Sequence, residues 1–227
     1  MMQNMISRRG FLTALTATAA VGLAGCAAIP DMPVIKVDDN GQPLAPQADV
    51  DPAFGSYEAM YAAREDDGYQ LPAIPIKRMN KRYLRQVVQD PTGEQPGTIV
   101  VDTQNKFLYF VEGDGRAMRY GIGVGREGFT WSGVQSVSKK AEWPDWTPPA
   151  EMLARQPYLP RFMAGGDGNP MGARAMYLGS TVYRIHGTNQ PSTIGQFVSS
   201  GCVGMLNEDV MDLFDRVKVG TRVVVQR

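Results

Sequence analysis

Histidine is almost missing from this 227-residue chain: His186 is the only one. Cysteine is nearly as scarce, limited to Cys26 and Cys202. A zinc site needs three or four nitrogen, sulfur or oxygen ligands, so one histidine and two distant cysteines give no metal site. The one glycine pattern, Gly121, Gly123 and Gly125, is followed by no helical signal. A phosphate cradle is therefore not expected there, and no cofactor is expected. Net charge is absent as well, with 23 Lys and Arg balancing 23 Asp and Glu. No basic run is interleaved with aromatics, which argues against nucleic acid as a partner. The apolar run Ala14–Gly25 is too short to cross a bilayer as a stable helix.

The balance of charge is uneven along the chain. Residues 31–75 carry nine acidic side chains against Lys36 and Arg64, whereas from residue 76 onward 19 Lys and Arg face 14 Asp and Glu. At the N-terminus, Ser7-Arg8-Arg9-Gly10-Phe11-Leu12 resembles a twin-arginine export motif. The apolar run then ends in Leu23-Ala24-Gly25-Cys26, which resembles a lipobox, with Cys26 as the lipidated residue. An ordinary signal peptide cut near Ala28 is the alternative. Residues 1–26 are thus read as a signal peptide and residues 27–75, acidic and rich in proline, as an extended linker, in which Tyr57–Arg64 could form a short helix with Tyr57, Met60 and Tyr61 on one face. Residues 76–95 are read as an N-terminal arm and residues 96–227 as the main domain.

With Cys26 removed from the folding problem, Cys202 has no disulfide partner, so its thiol is either buried or reactive. A thiol attacks carbonyls as its thiolate and needs a base or a positive neighbour. The one histidine lies 16 positions upstream, within reach of a single supersecondary unit. Each residue alone reads equally well as core packing. The surrounding punctuation distinguishes the stretch: His186-Gly187-Thr188, then Ser199-Ser200-Gly201-Cys202-Val203, then Met205. The tight turn Ser200–Cys202 could aim backbone N–H groups at a developing oxyanion.

This pattern resembles the L,D-transpeptidases with a YkuD-type catalytic domain, bacterial enzymes that remodel peptidoglycan. The likeness runs from about Pro96 to Val225, and one position departs from it. Gly204 stands where the family usually has Arg, and Arg184 or Arg174 on the neighbouring hairpin is the candidate for a compensating cation. The resemblance implies Cys202 as nucleophile, His186 as base and the Gly187 carbonyl as orienter of the imidazole. Gly201 and Ser200 are candidate oxyanion or substrate-binding residues, joined by Tyr183 and Trp131 beside the expected cleft. It also implies a mainly β domain, a sandwich-like or mixed-sheet fold with a few short helices, preceded by an extended tether.

The residues agree with a β-rich domain. Thr98–Asp102 and Lys106–Glu112 alternate and are rich in β-branched and aromatic side chains, as a strand–turn–strand unit requires. Arg116–Val124 reads as a third strand, its glycines as bulges or a strand crossing. Gly128–Pro149 holds all three tryptophans, Trp131, Trp143 and Trp146, and reads as irregular chain whose rings line a groove or plug a loop. Glu151–Gln156 reads as a short helix. Arg174–Leu178 and Thr181–His186 form a hairpin that delivers His186 at a strand end. Asn207 is expected to cap a helix with Glu208 and Asp209 in its first turn and Val210, Leu213, Phe214 and Val217 as its buried stripe. Gly220 ends that helix, and Thr221–Gln226 completes the sheet.

The activity implied is transfer of a stem-peptide acyl group through a Cys202 thioester to an amine. Two alternatives remain open: hydrolysis by the same Cys and His pair, as an L,D-carboxypeptidase or cross-link hydrolase, and a non-catalytic lipoprotein that binds peptidoglycan. The partners implied are peptidoglycan stem peptides, an acceptor protein at the outer membrane, and a membrane through the lipid anchor. Ala27 lacks the Asp that holds many lipoproteins at an inner membrane, so the expected location is the periplasm, anchored to the outer membrane.

Overall fold

In the computed structural model, residues 55–126 and 131–226 are described. The signal peptide, Cys26 and the linker up to residue 54 lie outside them. The linker expectation fails from residue 56 onward. Ser56 caps a short helix α1 (Tyr57–Met60), its side chain accepting from the Ala59 N–H. A hairpin of β1 (Arg64–Asp66) and β2 (Tyr69–Leu71) follows. Met60, Tyr61 and Ile74 are buried together with Leu84, Ile194 and Leu206. The segment is held by partners far along the chain at Tyr61 and Asp66. Tyr61 Oη donates to Asp209 Oδ1 at 2.9 Å and accepts from the Arg85 N–H at 2.8 Å. Asp66 receives a two-pronged contact from Arg174 at 2.7 and 3.0 Å, and its Oδ2 also accepts from Trp143 Nε1 at 2.7 Å.

That Asp66 cluster ties the N-terminal segment to the sheet, and its loss should be measurable. The Arg174 guanidinium holds the Asp66 carboxyl below its ordinary value. A depressed carboxyl contributes stability above its unfolded pKa of about 3.9, and this is lost as pH falls through the folded value. Removing one partner of a largely buried pair strands the other, so Asp66→Ala should cost about 3 kcal/mol near neutral pH. In thermal unfolding this is a drop of roughly 9 °C. The difference from wild type should shrink below about pH 4.

The sheet begins with β3 (Gln86–Gln89), which pairs with β6. The paired strands β4 (Ile99–Asp102) and β5 (Phe107–Gly113) occupy the β-branched runs read from sequence. Two ten-residue strands follow, β6 (Arg116–Gly125) and β7 (Gly133–Glu142). After the short helix α2 (Ala150–Arg155) come β8 (Arg174–Leu178) and β9 (Arg184–Gly187), then β10 (Phe197–Ser199) and β11 (Val203–Met205). Helix α3 (Asn207–Arg216) and β12 (Arg222–Gln226) complete the order.

The long strands change partners along their length. The first half of β6 pairs with β3 and β5, and its end pairs with β11 and β10. Likewise Gly133–Ser136 of β7 lies against β12, whereas Val137–Glu142 lies against β8. The path β6-β11-β9-β8-β7-β12-β4-β5 therefore returns to β6 and closes. Inside, Ile99, Leu108, Met118, Tyr120, Ile122, Ile185, Met205 and Val223 meet Val210, Leu213 and Phe214 of α3. The mainly β architecture with few short helices is as the sequence implied.

Three details differ from the sequence reading. The stretch 128–149 is not all irregular, because β7 occupies its middle. Asn207 does not cap α3: Leu206 holds that position, and Asn207 Oδ1 accepts from the Ala173 N–H at 3.0 Å. The α3 helix ends at Arg216, before Gly220, which sits at φ +96° in the following turn.

Candidate active site

Register brings His186 and Cys202 to the same region of the sheet. Strands β9 and β11 run parallel with Ile185 opposite Val203 and His186 opposite Gly204. Ile185, Val203 and Met205 point into the core. Because side chains alternate across a strand, His186, Arg184 and position 204 belong to the other face. Cys202 precedes Val203 by one residue, at the mouth of this strand pair. It is a free, half-buried thiol, and its Sγ donates to the Val182 carbonyl at 4.0 Å.

The strand beside them presents glycine on that face. Met118, Tyr120, Ile122 and Val124 of β6 fill the core, leaving Gly121, Gly123 and Gly125 outward. These glycines lie where β6 leaves β5 for β11 and β10, with an irregular register opposite Gly125, and packing adds a second reason for two of them. A Cβ at Gly123 would stand 2.7 Å from the Thr193 carbonyl oxygen, and one at Gly121 would run into the Tyr83 backbone. Close approach of covering backbone requires glycine at 121 and 123.

His186 Nδ1 lies 2.5 Å from the Gly187 carbonyl oxygen. A carbonyl only accepts, so Nδ1 carries the proton and Nε2 is left as a bare lone pair. Burial pushes the imidazole down to about 4, partly opposed by that carbonyl, with the Arg184 charge lowering it further. Burial pushes the Cys202 thiol up, opposed by the backbone and guanidinium of Arg184. At neutral pH Cys202 is thus a thiol and His186 a neutral imidazole, carried by adjoining segments of the sheet.

The turn before the thiol is held by Ser199, which sequence reading passed over in favour of Ser200. Ser199 Oγ donates to the Cys202 carbonyl at 2.6 Å and accepts the Gly201 N–H at 3.2 Å. Gly201 stands at φ +105°, a conformation that favours glycine. Its N–H, expected to face an oxyanion, is turned onto Ser199. Ser200 Oγ, by contrast, is buried with no hydrogen-bond partner.

Of the three tryptophans, one reaches the site. Trp131 stacks on Tyr183 with centroids 4.7 Å apart and planes 13° from parallel. A small void beside it is shared with Gly201 and Val203. Trp143 packs instead on Tyr69 with centroids 4.5 Å apart, and Trp146 bridges to Met163. The cation near the thiol is Arg184. Arg174, the other candidate on that hairpin, is paired with Asp66 and Glu142. Strand alternation from His186 was the signal that could have singled out Arg184. Among the described residues, no group of three or more His, Cys, Asp or Glu is placed to hold a metal ion. No described helix is long and apolar enough to cross a membrane.

Residues 96–225 match the family model of the YkuD L,D-transpeptidase catalytic domain, which is more than half of the chain. The chain belongs to the YkuD family. The Escherichia coli K12 protein named "Probable L,D-transpeptidase ErfK/SrfK" is 40% identical over 136 residues, covering 56% of this chain and 43% of that protein. "Probable L,D-transpeptidase YbiS" of the same strain is 37% identical over 142 residues, covering 59% of this chain and 45% of that protein. The chain therefore spans less than half the length of these YkuD relatives. A solved Brucella melitensis chain titled "Probable carnitine operon oxidoreductase caia" is 49% identical, covering 65% of this chain and 96% of that one, with a TM-score of 0.44.

Proposed function

We propose that this YkuD protein is a peptidoglycan L,D-transpeptidase whose nucleophile is Cys202. The observation that carries the reading is the neutral imidazole of His186, fixed through Nδ1 by the Gly187 carbonyl, on the strand beside the thiol. His186 Nε2 takes the thiol proton as Sγ attacks the carbonyl carbon between an L-centre and a D-centre of a tetrapeptide stem. The tetrahedral intermediate collapses, the C–N bond breaks, and the leaving D-amino acid nitrogen takes the proton from the imidazolium. An acceptor amine then attacks the thioester, gives a proton to Nε2 and releases the thiol. The Cys202 N–H and the unpartnered Ser200 hydroxyl are the donors proposed for the oxyanion. Trp131 and Tyr183 form an aromatic wall for the stem peptide.

Arg184 is proposed to do in part what the family arginine does at position 204, since its charge already favours the thiolate. Gly204 has room for more. Its Cα partners are His186 and Gly123, and a Cβ there would meet only the Gly123 carbonyl oxygen at 3.9 Å. Gly204→Arg should therefore fold and place a second cation on the His186 face. A nearby opposite charge lowers a thiol by about one unit or more. The alkaline rise of carbapenem acylation, where the thiol itself ionises, should move to lower pH by about that amount; an unmoved rise would mean the missing arginine does not tune the nucleophile.

The acceptor, the location and the anchor belong to the same proposal. Export through the twin-arginine motif, lipidation at Cys26, and a periplasmic site at the outer membrane would place the domain within reach of stem peptides or an acceptor protein. Mass spectrometry of peptidoglycan fragments after incubation tests the reaction. Cross-linked dimers are expected. Tripeptides alone would mean water is the acceptor, as in an L,D-carboxypeptidase or cross-link hydrolase, and unaltered fragments would mean a binding lipoprotein.

A further inference from the structure

The Gly187 carbonyl can set the proton on His186 only if its own peptide is held still. The β8–β9 ladder ends with Ala175 opposite His186, one residue short of that peptide. On the far side Gly187 still has Met205 of β11 opposite it. Asn207, the first residue of α3, takes the ladder's place on the near side. The residue is 9% exposed, and its Oδ1 accepts the Ala173 N–H at 3.0 Å. The same oxygen lies against Gly187, because a Cβ built there would run into it. A Cβ at Gly172 would also run into it, and would stand 2.6 Å from the Gly187 carbonyl carbon. Gly172-Ala173, the end of β9 and the start of α3 therefore converge on one amide oxygen. By strand alternation Gly187 turns inward with Ile185, so this support comes from the face opposite the imidazole.

We propose that Asn207 is a positioning residue for the reaction at Cys202. By binding Ala173 and pressing on Gly187, it keeps the Gly187 carbonyl on His186 Nδ1 and the Nε2 lone pair bare. The proposal rests on the reading of His186 as the base. A neutral imidazole can carry its proton on either nitrogen, and the acceptor offered to one of them decides which. Glycine has no side chain to anchor its peptide, so Gly187 depends on what packs around it. Without the Asn207 oxygen, the Ala173 N–H is left buried and unpaired, and space opens beside the Gly187 Cα. The peptide that carries the orienting carbonyl is then free to turn, and Nε2 holds the proton for part of the time.

Because the chain has one histidine, nitrogen NMR of isotope-labelled protein without a histidine tag reads the His186 tautomer directly. At neutral pH the wild type should show Nδ1 protonated and Nε2 bare. Asn207→Ala should draw the two ring signals together as the tautomers mix, and carbapenem acylation of Cys202 should slow roughly tenfold to a hundredfold. Asn207→Asp, which keeps the shape and an acceptor oxygen, should retain the wild-type ring signals. Asn207→Ser, one bond too short to reach Ala173, is the milder variant and decides the matter should the alanine protein not fold. Wild-type ring signals in a folded Ala or Ser variant would overturn the proposal even if acylation slowed, since Asn207 would then support the fold alone. Mixed tautomers in Asn207→Asp would overturn it too, because the acceptor oxygen would not be what holds Gly187. A wild type protonated at Nε2 would remove His186 as the base and this proposal with it. Tautomers that respond as expected in a protein never acylated would count against the transpeptidase reading alone.

Discussion

Cys202→Ala should leave a folded protein that forms no acyl-enzyme at all. The expected result is loss of the carbapenem mass adduct in intact-protein mass spectrometry, together with loss of cross-linked product. The reasoning is local. Beside the Arg184 groups that favour its thiolate, the Cys202 thiol has a weak contact with the Val182 carbonyl at 4.0 Å, and the residue is half-buried. Truncating it creates little cavity, so the melting temperature should stay within a few degrees of wild type. The turn around it is held by Ser199 through backbone groups of Cys202 and Gly201, which alanine retains. An adduct that persisted in this variant would locate the nucleophile elsewhere and sink the proposed mechanism.

His186→Gln should be almost as damaging, and its pH dependence is the more informative part. General bases contribute about 10² to 10⁴ in rate. In the wild type the imidazole sits at about 4, so acylation should fall roughly tenfold per pH unit only below that value. Between about pH 5 and 8 the rate should be flat, because the base is neutral throughout that interval. With glutamine in its place, attack must rely on whatever thiolate is present. Burial holds the thiol above its ordinary value, so the variant's rate should climb with pH through 8 and 9. A variant showing the flat wild-type profile at a reduced level would mean His186 positions substrate and does not take the proton.

The site was legible in the sequence because its residues are rare. A single histidine and a single cysteine beyond the signal left little choice, and the glycines and serines around them marked the turn. Sequence could not choose between Arg184 and Arg174 and passed over Ser199, because their roles depend on register. Arginine matters where β9 runs beside β11, and serine matters because its hydroxyl bridges two backbone groups of the same turn. Strands β4, β5 and β12 were readable because their inward positions alternate with polar ones or form short apolar runs. Strand β7 was not, since Val137 is its only buried residue and its lysines, serines and glycine show no apolar stripe. The N-terminal segment misled for a different reason. Its acids read as solvated, and their cations lie a hundred residues away, as Asp66 and Arg174 do.

The closed path of strands also bears on how this protein is made. Strand β12 inserts between β4 and β7, parallel to β4 with Val223 opposite Ile99. As translation proceeds, β4 and β5 can pair early, but the seam beside β4 stays open until residues 222–226 emerge. Until then β4 offers the unpaired edge of a hydrophobic strand, the kind of surface that chaperones cover and that other chains adhere to. Such distant parallel pairing also places folding toward the slower, millisecond-to-second end of the single-domain range. The nascent chain therefore passes through an interval in which β4 to β11 all exist and the closed path of strands cannot yet shut.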